Sequence, residues 1–233
     1  MITSRQNRWF QRVRDAIREH AEEIVIEGPK AVAGAVAAGW RPIAVFERAE
    51  DAAPRANAVV FSAPLFDQLT ETKTPQGTLG LFERPRTFDL LGHRDKVIVA
   101  LDGVQDPGNV GTIVRLAAAF DAAGVALLPG CADAFGPKAI RASAGAILTM
   151  PVANVTPQEL LDCGLPLFAA AGDGETIAPP AREAVLIFGN EGSGVSSELR
   201  AHATAIAIAT SGRVESLNVA ASAAILLSRA FEP

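Results

Sequence analysis

The last quarter of the chain contains two short apolar bursts, and each leads into a polar loop that contains glycine. The first burst, AVLIFG at 184–189, opens into GNEGSG, and the second, AIAIA at 205–209, opens into TSGRVESLN. Short apolar runs bounded by such loops are typical of strands buried in a parallel sheet. Open α/β sheets bind ligands beyond the carboxyl ends of their strands. We therefore expect the two loops to lie near one another at a small-molecule site.

Strands alternate with helices along the whole second part of the chain. KVIVALDG at 96–103 is an almost continuous apolar run, and the segments after it switch between helical and strand patterns over short loops. This alternation predicts an α/β domain with a parallel sheet at 96–233. Residues 1–83 predict a smaller α/β unit, which begins with a helix at 4–20 capped by Ser4. A polar stretch at 84–95, rich in turn-forming residues, is predicted to be the linker.

Charge and cysteine usage limit the function classes. The net charge of −5 argues mildly against a nucleic-acid partner, although Arg5, Arg8, Arg12, Arg14 and Arg18 crowd the first helix. That face is either solvated or binds phosphate, and the sequence leaves both open. The two cysteines have no partner spacing, the amino-terminal segment has no signal-peptide pattern, and no apolar run approaches a membrane span. We expect a cytoplasmic protein with no metal and no membrane partner.

Three segments can carry chemistry. DPGNVGTIVR at 106–115 places Asn109 where a helix cap belongs and keeps Arg115 in an otherwise apolar helix, where it is either functional or a snorkelling, salt-bridged side chain. FGNEGSGVSSEL at 188–199 has three glycines in six residues, with Ser196 placed to cap the next helix. In GRVESLNVAASAAILL at 212–227, Ser216 is expected to cap a helix starting at Leu217, with Asn218 in its first turn.

Taken in order, these segments resemble the three motifs of the SpoU (TrmH-like) branch of the SPOUT RNA methyltransferases. The stretch at 129–152 is similar to that family, and IVIEGPKAV and TKTPQG resemble its ribosomal-protein-like substrate-binding domain. The resemblance implies a deep trefoil knot in the carboxyl-terminal parallel-sheet domain, a rare exception to unknotted topology. It also implies methyl transfer from S-adenosylmethionine to a ribose 2′-hydroxyl of rRNA or tRNA, with rRNA favoured, by a homodimer that shares its active site.

The resemblance also assigns roles by position. The family mechanism makes the arginine at position 115 the general base. Because a guanidinium stays protonated in proteins, Arg115 is instead expected to bind an RNA phosphate and to stabilise charge at O2′. Ile208-Ala209-Thr210 stands where the family often has Ile-Pro-Met, so the rigidity of that loop is reduced. The implied catalytic residues are Asn109, Arg115, Ser216 and Asn218; the cofactor-binding residues are Phe188, Gly189, Asn190, Glu191, Gly192, Ile208, Ser216, Leu217 and Asn218; and the RNA-binding residues are Arg5, Arg8, Arg12, Lys30 and Lys73.

Two other functions remain open from the residues. A nucleotide-dependent oxidoreductase could use GNEGSG as a phosphate loop, but this loop comes late in the chain and the sequence has no strand–GxGxxG–helix unit. A non-catalytic RNA-binding protein could retain the fold. Ala209-Thr210 argues weakly for that alternative. The residues that argue against it are Asn109, Arg115, Glu191, Ser216 and Asn218.

Overall fold

The computed structural model describes residues 1–49, 57–70, 72, 74–85, 90–180 and 182–231. The chain forms two compact units, one of Met1–Arg86 with Phe135–Pro137 and the other of Thr87–Ala134 with Lys138–Pro233. Of the predicted linker, residues 86–89 lie outside the described residues, and Leu90 is buried in the core of the second unit. None of the described helices is long and apolar enough to cross a membrane.

The first unit is a four-stranded sheet with helices on both faces. The strands lie in the order β1-β4-β2-β3, and β2–β3 is the parallel pair. Leu79, Leu81 and Val25 share a core with α1, whereas Gly80 of β4 approaches Val32 of α2 on the opposite face. The elements are α1 (Arg8–Glu19), β1 (Glu23–Glu27), α2 (Pro29–Ala37), β2 (Pro42–Arg48), β3 (Val59–Phe61), α3 (Ala63–Phe66) and β4 (Thr78–Glu83).

The first helix begins at Arg8, so the predicted start and cap at Ser4 are wrong. Ile2 is already paired beside β3, because its N–H donates to the carbonyl of Val60 at 2.7 Å and its carbonyl accepts from Ser62 at 2.9 Å. That extended segment leaves the helix to start later, where Asn7 accepts from the N–H of Trp9 at 2.9 Å. One face of the helix, with Phe10 and Val13, packs into the core of this unit.

The second unit is a six-stranded sheet, and its strands are all parallel, as the sequence predicts. The order is β10-β8-β9-β5-β6-β7, so β5 and β9 are neighbours and end side by side at Asp102 and Gly189. The elements are β5 (Ile98–Asp102), α4 (Pro107–Ala119), β6 (Gly124–Leu127), α5 (Pro137–Ala142), a 3-10 turn (Ala146–Leu148), β7 (Val152–Asn154), α6 (Pro157–Leu161), β8 (Leu167–Glu175), β9 (Val185–Gly189), α7 (Ser197–Arg200), β10 (Thr204–Ile206) and α8 (Val219–Ala230).

Helix α4 starts at Pro107, two residues before the expected cap at Asn109. Its cap is Asp106, whose carboxylate accepts from the N–H of Gly108 at 2.6 Å, and Pro107 occupies the first helical position. Asn109 therefore lies in the first turn, and the prediction that it caps the helix is wrong. A proline is favoured at the first position because its missing N–H costs nothing there.

Helix α8 is capped by Asn218, so the prediction that Ser216 caps a helix from Leu217 is also wrong. The Asn218 side chain accepts from the N–H groups of Ala220 and Ala221 at 2.9 and 3.2 Å. Ser216 and Leu217 lie in an exposed loop. Strand β10 ends at Ile206, and Ile208, expected at the strand end, lies in the same loop.

Candidate cofactor and RNA site

The loop after β9 is closed by Asn190. Its backbone exchanges two hydrogen bonds with Gly194, at 3.0 and 2.9 Å, and its side-chain oxygen accepts from the N–H groups of Gly192 and Ser193. Its side-chain nitrogen donates to the carbonyl of Gly103 at 2.8 Å. Asn190 was predicted to bind the cofactor. The structure places its amide within the protein, where it fastens the glycine loop to the end of β5.

Gly189 allows the same loop to fold back on its own strand. A Cβ at this position would lie 2.1 Å from the carbonyl carbon of Gly194 and from the nitrogen of Val195. Heavy atoms cannot approach that closely, so a side chain at 189 would force the turn open. The side chain of Phe188, beside it, is 1% exposed and belongs to the core, so it presents no ring surface to a cofactor.

Glu191 joins the loop after β9 to the first turn of α4. Its carboxylate accepts from Asn109 Nδ2 at 2.8 Å and from the N–H of Gln105 at 3.4 Å. Partial burial acts to raise the pKa of Glu191, but the hydrogen bonds from Asn109 and the backbone outweigh it, and the pKa lies below its ordinary value. Glu191 is therefore an ionised anchor.

Asn218 connects the third segment to the same group. Its Nδ2 donates to Asn109 Oδ1 at 3.2 Å while its oxygen caps α8. The structure thus brings together one predicted residue from each motif: Asn109, Glu191 and Asn218. Sequence analysis missed Asp102, whose carboxylate accepts from the N–H of Ser196 at 2.7 Å and fixes the start of α7. The only signal for Asp102 was its position at the end of a buried strand.

Arg115 is exposed on α4, six residues beyond Asn109 and about 9 Å further along the helix axis. It makes no ion pair or hydrogen bond with any residue that the structure describes. Arg115 is therefore not salt-bridged to any described residue, which was one of the interpretations that the sequence left open. Its guanidinium is available to a partner outside the chain.

A comparison with known protein families identifies what this chain is similar to. The model of the SpoU rRNA Methylase family matches residues 96–228, which include all three motifs. This chain belongs to that family. The predicted enzyme class, an RNA methyltransferase, and the predicted cofactor, S-adenosylmethionine, are confirmed with it.

Individual relatives agree with this assignment. The chain is 35% identical over 176 residues to RlmP of Bacillus subtilis, a 23S rRNA (guanosine(2553)-2′-O)-methyltransferase, covering 72% of this chain and 70% of RlmP. It is 31% identical to mouse mitochondrial rRNA methyltransferase 3, of which it spans 39%. An AdoMet-bound rRNA methyltransferase from Sinorhizobium meliloti superposes with a TM-score of 0.85 at 28% identity, covering 98% of this chain and 96% of the other. AviRb of Streptomyces viridochromogenes, with AdoMet, shares the fold at a TM-score of 0.87 and 24% identity, covering 97% of each chain.

The loop between β10 and α8 of this SpoU methylase exposes backbone donors and apolar side chains. The backbone N–H groups of 208–211 and 213–218 donate to no acceptor among the described residues. Exposed peptide groups of this kind must bind water or a ligand. Leu217 and Val214 add exposed apolar surface. Donors beside apolar side chains fit a purine and its ribose. No cluster of three metal-ligating side chains occurs among the described residues.

The predicted RNA-binding residues of this SpoU methylase do not share one surface. Arg12 is held in an ion pair with Glu23, with Nε–Oε distances of 3.0 Å, and the hydrogen bond that Arg12 donates to Glu23 is the main cause that raises the pKa of Arg12. Arg5 and Arg8 are exposed, and the Arg8 guanidinium lies 5.6 Å from the centre of the Trp9 ring. Lys30 belongs to α2, on the opposite face of the sheet from α1. Lys73 lies outside the described residues.

Proposed function

We propose that this SpoU methylase transfers the methyl group of S-adenosylmethionine to a ribose 2′-hydroxyl of rRNA. The observation that carries the proposal is the union of the three motif loops through Glu191, Asn109 and Asn218. The helix that holds Asn109 also presents, six residues further on, Arg115, which has no partner among the described residues. RlmP, which acts on 23S rRNA by its name, supports the choice of rRNA over tRNA.

The residues of the protein have two roles in the proposed reaction: some bind the cofactor and the nucleotide, and one stabilises the charge that develops. When bound, S-adenosylmethionine supplies an already activated methyl group. The backbone of 208–217 holds the adenosyl group, and Ser216 contacts the target nucleotide. Arg115 binds an RNA phosphate with two parallel N–H donors and stabilises the negative charge that develops at O2′. The proton of the hydroxyl leaves to a phosphate oxygen or to water, since a guanidinium does not accept it.

The carboxyl-terminal part of the second unit is proposed to form the trefoil knot. In its support, β8 pairs with β10 at two places: Phe168 and Ala169 pair with Thr204 and Ala205, and Glu175 pairs with Ile206. Between these two pairings β10 advances by one residue, from Ala205 to Ile206, whereas β8 advances by six, from Ala169 to Glu175. The extra residues of β8 therefore bulge out of the pairing. Gly174 permits this, because a Cβ there would lie 2.5 Å from the carbonyl carbon of Ala205. A crystallographic chain trace with an unthreaded α8 would disprove the knot.

The protein is proposed to act as a cytoplasmic homodimer in which both subunits complete each site. Val214 and Leu217, 57% and 37% exposed, leave apolar surface on the proposed cofactor loop itself. A second subunit would cover that surface and would bring its own Arg115 to the site. Sedimentation equilibrium at micromolar concentration tests this, and a monomer at every concentration would contradict it.

The first unit is proposed to be the RNA-binding domain, with contacts from Arg5 and Arg8. Reversing both charges should weaken RNA binding and reduce the log–log salt slope by roughly 1 for each phosphate that the variant no longer binds. Filter binding of rRNA fragments across a salt series measures this. The control reverses Arg14 and Arg18 of α1, which changes the net charge equally and in addition breaks an exposed ion pair of Arg14 with Asp15. Equal weakening by the two pairs would show a general charge effect instead of specific contacts.

The activity itself is tested by incubating the protein with S-adenosylmethionine that carries a labelled methyl group and with unmodified rRNA. We expect label at a ribose 2′ position, together with heat of binding for S-adenosylmethionine alone in calorimetry. Binding of the RNA without transfer of label would support the non-catalytic alternative. Binding of NAD in place of S-adenosylmethionine would support an oxidoreductase.

A further inference from the structure

Glu191, Asn109 and Asn218 form a chain in which each hydrogen bond has one workable direction. The oxygen of Asn218 is occupied by the N–H groups of Ala220 and Ala221, so its nitrogen must face Asn109. Asn109 then accepts through Oδ1 and has only Nδ2 left for Glu191. An asparagine amide has one accepting end and one donating end, so fixing one link fixes the others.

The charges at the two ends of this chain agree with its direction. One end is the ionised carboxylate of Glu191, which can only accept. The other end is the amino terminus of α8, a twelve-residue helix whose free N–H groups carry partial positive charge. If the Asn109 amide turned around, its oxygen would face the carboxylate, and its nitrogen would face that of Asn218. Both contacts would be repulsive.

We infer that this polarised chain, defined as Glu191–Asn109–Asn218, sets the positions of the three motif loops relative to one another. Asn109 and Asn218 are then positioning residues, because their amides bind each other and the protein. This rests on the proposed function for its link to methyl transfer. Its structural part stands independently, since it concerns bonds within the second unit.

Asn218→Asp keeps the oxygen that caps α8 but removes the nitrogen that donates to Asn109 in the hydrogen-bonded chain. Aspartate caps a helix as well as asparagine does, but it has no donor for Asn109. Either two oxygens then oppose each other at 218 and 109, or Asn109 turns and its oxygen opposes Glu191. We expect a lower melting temperature and a loss of roughly tenfold or more in kcat/KM, because two oxygens with like partial charge then face each other where an N–H faced an oxygen.

Adding Glu191→Gln to Asn218→Asp should restore the chain with its direction reversed. The amide introduced at 191 can donate to Asn109 Oδ1, and Asn109 Nδ2 can donate to the carboxylate introduced at 218. The oxygen of the same amide still accepts from the N–H of Gln105. The double variant should therefore be more stable and more active than Asn218→Asp alone, although it combines two substitutions. Independent sites would add their losses instead.

The test compares the wild type, both single variants and the double variant by thermal unfolding and by kcat and KM for rRNA methylation. Asn7→Asp is the matched control: Asn7 caps α1 through Trp9, and its amide nitrogen donates to no described residue, so its melting temperature should stay equal or rise slightly. Recovery in the double variant supports the inference. Stability of Asn218→Asp equal to the wild type, or additive losses in the double variant, would overturn it. The melting data decide this even if the wild type proves to have no methyltransferase activity, which would refute only the proposed function.

Discussion

Arg115→Lys is expected to lower the rate of methyl transfer by about 100-fold or more while S-adenosylmethionine still binds. Lysine keeps the positive charge, but it lacks the planar pair of N–H donors that can bind a phosphate at two oxygens. In the isolated subunit Arg115 is exposed and has no partner among the described residues, so the substitution breaks no contact within the chain. The lower rate would therefore report on the reaction rather than on folding.

Single-turnover rates with rRNA, calorimetry with S-adenosylmethionine and thermal unfolding together separate these effects. Arg229→Lys is a suitable control, since Arg229 is an exposed arginine in the last turn of α8. Its rate should match that of the wild type. If Arg115→Lys also kept near-wild-type turnover, neither the phosphate contact nor the stabilisation of O2′ by this arginine could be correct.

Gly189→Ala is expected to destabilise the second unit and to weaken binding of S-adenosylmethionine. The added methyl group would lie 2.1 Å from backbone atoms of Gly194 and Val195, and backbone cannot move aside as a flexible side chain can. The turn closed by Asn190 would have to open. Overpacking of this kind costs about 1–3 kcal/mol of unfolding free energy, and contact with backbone places Gly189 at the upper end of that range.

Thermal unfolding and calorimetric titration with S-adenosylmethionine measure the two consequences. Gly172→Ala is the control within a neighbouring strand, because a Cβ at 172 would meet nothing within 4 Å. Its melting temperature should be unchanged within a degree or two. A Gly189→Ala protein that melts and binds like the wild type would show that the loop can rearrange freely.

The sequence alone indicates the cap of a helix where only one nearby residue can serve as that cap. The sequence offers one cap for α6, Thr156, and it forms a reciprocal capping box with Glu159 there. Three predicted caps were wrong, because a nearby residue could serve equally well. At the start of α1, pairing of Ile2 beside β3 displaced the cap from Ser4 to Asn7. For α4 and α8 the caps are Asp106 and Asn218.

The sequence by itself determined the alternation of strands and helices, the family and the residue types of the site, because buried parallel strands and glycine loops leave patterns that are local in the chain. Only the tertiary structure decided what those residues do. Asn190 turns inward to hold its loop, Arg12 is occupied by Glu23, and the amides of Asn109 and Asn218 face each other. Asn109 and Asn218 are 109 positions apart in the chain. The direction of their hydrogen bond depends on which groups each amide meets in space, and no spacing along the chain records that.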